Sequence, residues 1–275
     1  MSRKIIIVAL LVLTVVGVCS AQRWGRRRRS ARDDQGRIVD RRGVAEWSNA
    51  EAFEEDTFRF VRIAYRSWAG GWGRERWDTD GPDSDLNFSF RLQQLTSIKV
   101  NPEPIVLTLT DPRLFDYPFI YIVEPGYMTL GDDEAEALRR YLLNGGFLMV
   151  DDFWGEEEWF NFYEEMKRVF PDRDAEEVPL SHEIFHCVYD LQEKPQIPSI
   201  NVAAAGRTYE RSDAQVPHYR AFYDDDGRMV AFICHNTDLG DGWEREGVAE
   251  WYFREFSEKK AYPVGINIVT YAMTH

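Results

Sequence analysis

The apolar positions of this chain fall in short blocks separated by polar segments. The clearest series lies between Phe119 and Trp154. FIYIV is an unbroken apolar run closed by Glu124-Pro125-Gly126. In MTLGDDEAEALRRYLLN, acidic residues precede Ala135, Leu138 and Leu142 at helical spacing, and Gly145-Gly146 end the pattern. FLMV is a second apolar run that stops at Asp151-Asp152. A strand, a crossover helix and a parallel strand give this order. Comparable blocks predict strands at Phe58–Ser67, Pro104–Leu109, Phe119–Val123 and Phe147–Val150. Helices are predicted from near Pro82, over Leu130–Asn144 and over Glu156–Phe170. Beyond Pro171 the pattern loosens. Ser181–Leu191 reads as a short helix or irregular segment, and YRAFYDDDGRMVAFICH as a β-hairpin turning near Asp225-Asp226-Gly227. NTDLGDGWE reads as a loop, and Trp251–Lys259 and Val264–Met273 as two closing helices. The alternation predicts a three-layer α/β sandwich with a mostly parallel sheet.

The first 21 residues have a different character. Arg3 and Lys4, the apolar Ile5–Val18 and the small Ser20-Ala21 predict a signal peptide cleaved after Ala21, which places the mature chain in the periplasm or outside the cell. The apolar run is short for a membrane span. Arg23 and Arg26–Arg29 follow it at once and resist translocation, which keeps an uncleaved anchor as the other reading. Residues 22–54 are expected to be a basic, disordered arm, and residues 55–275 a single α/β domain. Charge divides at the same place: residues 1–43 hold 11 Lys/Arg against 3 Asp/Glu, whereas residues 44–275 hold 22 against 44. So acidic a body repels nucleic acid and anionic membrane surfaces. Cys187 and Cys234 are left after cleavage, either paired or free.

Four longer segments stand out: Trp77–Leu92 (W-x-T-D-G-P-D-S-D-L-N-F-S-F-R-L), Leu109–Phe119 (L-T-D-P-R-L-F-D-Y-P-F), Asn144–Gly155 (N-G-G-F-L-M-V-D-D-F-W-G) and Gly265–Thr274 (G-I-N-I-V-T-Y-A-M-T). Together they resemble a bacterial family known as domain of unknown function 4159, from about residue 56 to the C-terminus. That family in turn resembles the class I glutamine amidotransferase-like superfamily, which implies a flavodoxin-like sandwich. It does not imply the activity. An amidotransferase needs a cysteine on a tight, glycine-flanked strand-to-helix turn. Cys187 lies in FHCVY and Cys234 in FICHN, and Asp151-Asp152 end the strand instead.

Candidate chemistry gathers at predicted strand ends, where parallel sheets bind ligands. Asp111, Glu124, Asp151 and Asp152 each follow a strand, with Trp154, Arg66 and Trp72 on neighbouring loops. Carboxylates collected in one crevice must be protonated, paired or bound to a cation, with Arg62 or Arg66 available for pairing. Helix capping and turn formation are the plainer roles for the same aspartates. His182-Glu183-x-x-His186 is a literal zinc-peptidase motif, but Pro179 stands just before it and the segment is not a long helix. Hydrogen-bonded structural histidines are the alternative. Trp68, Trp72, Trp77 and Trp154 could stack on a sugar or peptide, or simply pack as a lid. Asp78, Asp80, Asp83 and Asp85 depart from EF-hand spacing and read as capping residues. Asn236, Asp238 and Asp241 read as turn formers, and His235 is a minor crevice candidate.

The resulting expectation is an exported envelope domain that binds a small molecule, glycan or envelope protein. The rival is a hydrolase using a divalent metal held by the strand-end carboxylates or by His182 and His186. The sequence establishes no cofactor.

Overall fold

The computed structural model describes residues 38–50, 57–68 and 76–275. The predicted signal peptide, most of the basic arm, and Trp72 with its neighbouring glycines lie outside the described residues. The strands are β1 (Val61–Ala64), β2 (Arg66–Ser67), β3 (Ile105–Thr108), β4 (Phe119–Val123), β5 (Met128–Thr129), β6 (Phe147–Asp151), β7 (Glu176–Glu177), β8 (His218–Tyr223) and β9 (Met229–His235). Seven of them form one sheet in the order β3-β1-β4-β6-β9-β8-β7, and β2 pairs with β5 apart from it. Neighbours from β3 through β9 are parallel. β8 and β7 extend the edge antiparallel. Counted among themselves, the five parallel strands run 2-1-3-4-5, the flavodoxin-like order.

Alternation along the strands builds the layers. Phe119, Tyr121 and Val123 of β4 and Phe147 and Met149 of β6 join one core, while Ile120, Ile122, Leu148 and Val150 join the other. The helices are α1 (Asp83–Leu95), α2 (Asp132–Leu143), α3 (Gly155–Val169), α4 (Ile200–Ala204), α5 (Leu239–Glu244), α6 (Glu250–Tyr252) and α7 (Tyr262–Thr274). Phe88 and Leu92 of α1, Trp243 of α5 and Ile266 and Val269 of α7 cover the first face. Ala135, Leu138 and Leu142 of α2 and Phe162 and Met166 of α3 cover the second. Both α2 and α3 carry three acidic residues in the first turn, favourable against the helix dipole. The expected α/β sandwich with a flavodoxin-like, mostly parallel sheet is therefore the observed one.

Three expectations need correction. The segment NTDLGDGWE contains a helix, α5, because Asp238 caps it from within the segment and Asp151 caps it from β6. The two closing helices are one helical run, since a π-helical stretch, Phe253–Ala261, joins α6 to α7. Its last turn carries the Tyr262 N–H back to Ser257 O, and this wider register accommodates Pro263, which has no N–H to give. Part of the expected disordered arm is docked. Trp47 Nε1 and Asn49 Nδ2 both donate to Val100 O, at 2.8 and 2.9 Å. Arg41 reaches Pro102 O and Glu103, each at 2.8 Å, with its guanidinium over the Trp47 ring. Cys187 and Cys234 are both free. No helix among the described residues is long and apolar enough to cross a membrane.

Candidate functional site

The loops leaving the carboxyl ends of β1, β4, β6 and β9 converge beside the point where the strand order reverses, the usual ligand position in such a sheet. Their backbones are strained. Five non-glycine residues among those described have left-handed φ, and four of them are on these loops: Asp80 (61°), Glu124 (48°), Asp152 (56°) and Asn236 (63°). Such conformations disfavour L side chains and concentrate at functional sites. They enclose a cavity of about 430 Å³ lined by seven carboxylates (Asp80, Glu124, Asp152, Glu158, Glu210, Asp238 and Asp241) and three guanidiniums (Arg76, Arg211 and Arg245).

Most of these charges have assigned partners. Glu124 accepts from Arg76 Nη1 at 2.6 Å and from Thr79 Oγ1 at 3.1 Å. Glu158 pairs with Arg211 and also accepts the Trp154 N–H at 2.7 Å, at the start of α3. Asp241 accepts from Ile200 N at 2.8 Å and Arg245 Nε at 2.9 Å, and Arg245 Nη2 lies 2.7 Å from Glu244. Glu210 accepts from Ser199 N at 2.9 Å.

Asp80 differs. It is 6% exposed, and its Oδ2 has no hydrogen-bond partner. A Cβ at Gly240 would lie only 2.5 Å from that oxygen, so a side chain there would push Asp80 aside. One oxygen each from Asp80, Asp152 and Asp238 lie within 4.8 Å of one another, and Asp80 forms a second such trio with Asp241 and Glu244. Asp152 accepts from Trp154 Nε1 at 3.0 Å, and Asp238 accepts from Asp241 N at 2.6 Å. Burial pushes all three carboxyls of the first trio well above the usual range, and neighbouring carboxylates add to it: Glu244 and Asp241 at Asp80, Glu124 and Asp80 at Asp152, and Asp152 and Asp80 at Asp238. Burial likewise raises Glu124, against the pull of Arg76.

Arg62 holds the Asp80 loop from below. Its fully buried guanidinium binds Asp85 through Nε and Nη2, Ser84 Oγ, and the carbonyls of Trp77 and Thr79. Thus it serves Asp85 rather than the strand-end carboxylates.

Of the residues singled out in the sequence, Glu124, Asp152 and Trp154 line the cavity. Asp151 lies beneath it as a structural cap. It accepts from Leu239 N, Gly240 N and Tyr121 OH at 3.2, 2.9 and 3.1 Å, and burial raises its carboxyl to about 7 against those donors. Asp111 is elsewhere, capping a 3₁₀ turn and bound to Arg113. Arg66 is exposed and pairs with Glu134.

The structure does not gather His182, Glu183 and His186 as metal ligands. Only Glu183–Phe185 form a single 3₁₀ turn. His182 Nδ1 accepts the Ile184 N–H at 3.2 Å. His186 has both ring nitrogens engaged, with Asp190 Oδ1 and with Leu180 O, each at 2.6 Å, and these contacts raise its pKa. Glu183 pairs with His275 at 2.8 Å. His235 is buried between Arg220 and Gly155 O, with burial lowering its pKa to about 3.

Asp80 and Asp238, read from the sequence as capping and turn residues, are the ones that complete the cluster. Asp238 does cap α5 as well. Arg76, Glu158 and Arg211 carry no sequence signal that separates them from surface charges.

The two strand-end aspartates are expected to separate experimentally. In Asp151→Asn the amide turns one N–H₂ toward existing donors, costing about 1–3 kcal/mol. Asp152→Asn keeps an acceptor for Trp154 and removes an unfavourable buried charge, so stability holds. Urea midpoints compare the two, and equal losses would contradict the division of roles.

A search among curated proteins gives no match. The family model described as Domain of unknown function (DUF4159) matches residues 59–273, which contain every strand of the sheet and every cavity residue, and the chain belongs to that family.

Proposed function

We propose that this domain is an exported binding module whose crevice holds one hard divalent cation through Asp80, Asp152 and Asp238 and presents it to a polar ligand. The observation that carries the reading is the Asp80 carboxylate, buried without a donor on Oδ2 and sharing a 4.8 Å cluster with two other buried aspartates. Oxygens at that spacing suit a cation with metal–oxygen distances of about 2.0–2.6 Å. All the acidic donors are oxygens, and no histidine or cysteine lines the cavity among the described residues, which favours magnesium, calcium or manganese over zinc.

The second carboxylate trio, sharing Asp80, supports a rival two-cation hydrolase. Two of its three members already have Arg245 as counter-charge, so the single-cation binding site is the better reading.

Calorimetric titration of the metal-free protein with Mg²⁺, Ca²⁺ and Mn²⁺ is expected to show one site, with Kd near ~10⁻⁴–10⁻³ M for Ca²⁺, as in extracellular modules. Asp80→Asn should weaken it at least about tenfold, as expected for removal of a charged ligand. Asp111→Asn, away from the cavity, serves as the control. Absence of saturable binding of all three ions would refute the site. Export rests on the N-terminal pattern, and the mature protein should begin at Gln22. Recovery of intact Met1 in the cytoplasm would overturn that part.

A further inference from the structure

Resting on the cation site, a second feature of the cavity identifies what the cation would meet. Two of the three guanidiniums flank a single side chain, Tyr127. Arg76 lies over its ring, 4.4 Å from the centroid, and Arg211 Nη2 reaches its hydroxyl at 3.0 Å. Glu124 fixes Arg76 through Nη1 and Glu158 fixes Arg211 through Nη2, and both guanidinium side chains line the cavity. Both side chains are more than a third exposed, more than Glu124 and Glu158, with which they pair. Arg245, by contrast, is committed to Asp241 and Glu244. A hard cation bound by three aspartates takes about 6–8 oxygens, so further oxygens must come from the cavity side.

We infer that the ligand bears a phosphoryl group, held between the cation, Arg76 and Arg211. Three separate positive anchors match a tetrahedral group with three free oxygens better than a carboxylate with two. The seven carboxylates of the lining outnumber the three guanidiniums, so without the cation the cavity repels an anion. Cation and phosphoryl group therefore bind with positive coupling, each raising the affinity for the other.

The test is titration of the purified mature protein with inorganic phosphate, with Mg²⁺ present or chelated, and with acetate as the carboxylate probe. Phosphate is expected to bind at least about tenfold tighter with Mg²⁺ than without, and tighter than acetate, which follows from gaining a charged contact. Arg76→Gln and Arg211→Gln should each weaken phosphate by about tenfold on the same basis. Cation binding should be retained or strengthened in both, because a neighbouring positive charge is gone. Saturable Mg²⁺ binding without phosphate binding overturns this inference and leaves the cation site standing. Phosphate binding that ignores Mg²⁺, or acetate binding as tight as phosphate, also overturns it. Failure to bind Mg²⁺, Ca²⁺ or Mn²⁺ removes the underlying site, and this inference with it.

Discussion

Replacing Arg62 by methionine is expected to destabilise the domain by about 3–5 kcal/mol, the usual cost of leaving one partner of a buried ion pair alone. The guanidinium and the Asp85 carboxylate are both fully buried and 2.6 Å apart. Burial opposes the charge on Arg62, but Asp85 more than offsets it and holds the pKa above its ordinary value. Methionine fills much of the volume yet removes the counter-charge of Asp85, and the Trp77 and Thr79 carbonyls lose donors at 2.9 Å. The double variant Arg62→Met/Asp85→Asn should recover part of the loss, since the unbalanced charge is gone while the carbonyls still lack those donors. Because Arg62 ties β1 to both sides of the loop carrying Asp80, cation affinity should fall in the single variant too. Chemical denaturation decides the matter. A single variant within about 1 kcal/mol of the parent would show that water readily replaces the guanidinium.

What was legible in the sequence follows the range of the interactions involved. The β4–α2–β6 unit could be read because its signals are local: apolar runs set the strands, acidic first-turn residues start α2, and Gly145 stops it with φ of 101°. α5 could not, because a short Gly- and Asp-rich segment becomes helical only when a carboxylate 88 positions earlier caps it. Trp47 was read into a structureless arm for the same reason, since its acceptor, Val100 O, is 53 residues away.

The site divides likewise. Glu124 and Asp152 could be placed because they directly follow strands, and Trp154 because it lies three residues past β6. Asp80 lies well beyond β1, beside a proline that suggests a helix start, and its sequence neighbourhood matches ordinary capping chemistry. What distinguishes it is burial without a donor, a tertiary property. The His182-Glu183-x-x-His186 spacing failed in the opposite direction. Its residue types fit zinc, but Asp190 and Leu180 engage both nitrogens of His186.

The metal-free protein should lose stability as pH rises above about 4, and a divalent cation should restore it. Asp80, Asp152 and Asp238 all have carboxyls raised well above the usual value by burial and by neighbouring carboxylates. Their folded forms bind protons more tightly than the unfolded chain does, so their contribution is fully present below the unfolded pKa of about 4 and is lost as pH climbs through the folded values. A bound cation supplies the missing positive charge without a proton and competes better as pH rises. His235 acts in the other direction: with a folded pKa near 3, its contribution is present above about 6.5 and is lost on acidification. The two effects make the chelated protein most stable at mildly acidic pH. At pH 8, cation at about a hundred times its Kd should add roughly 2.7 kcal/mol. For a domain of this size that raises Tm by about 5–10 °C. At pH 5 the gain should be smaller, because protons compete better for the cluster there. Asp80→Asn should flatten the alkaline decline in chelator and abolish most of the cation shift, while the His235 contribution on the acid side persists. Thermal melts of both proteins at pH 5 and pH 8, with chelator and with Ca²⁺, measure all of these terms. Identical melting temperatures with and without Ca²⁺ at pH 8 would mean that the buried aspartates answer to protons alone.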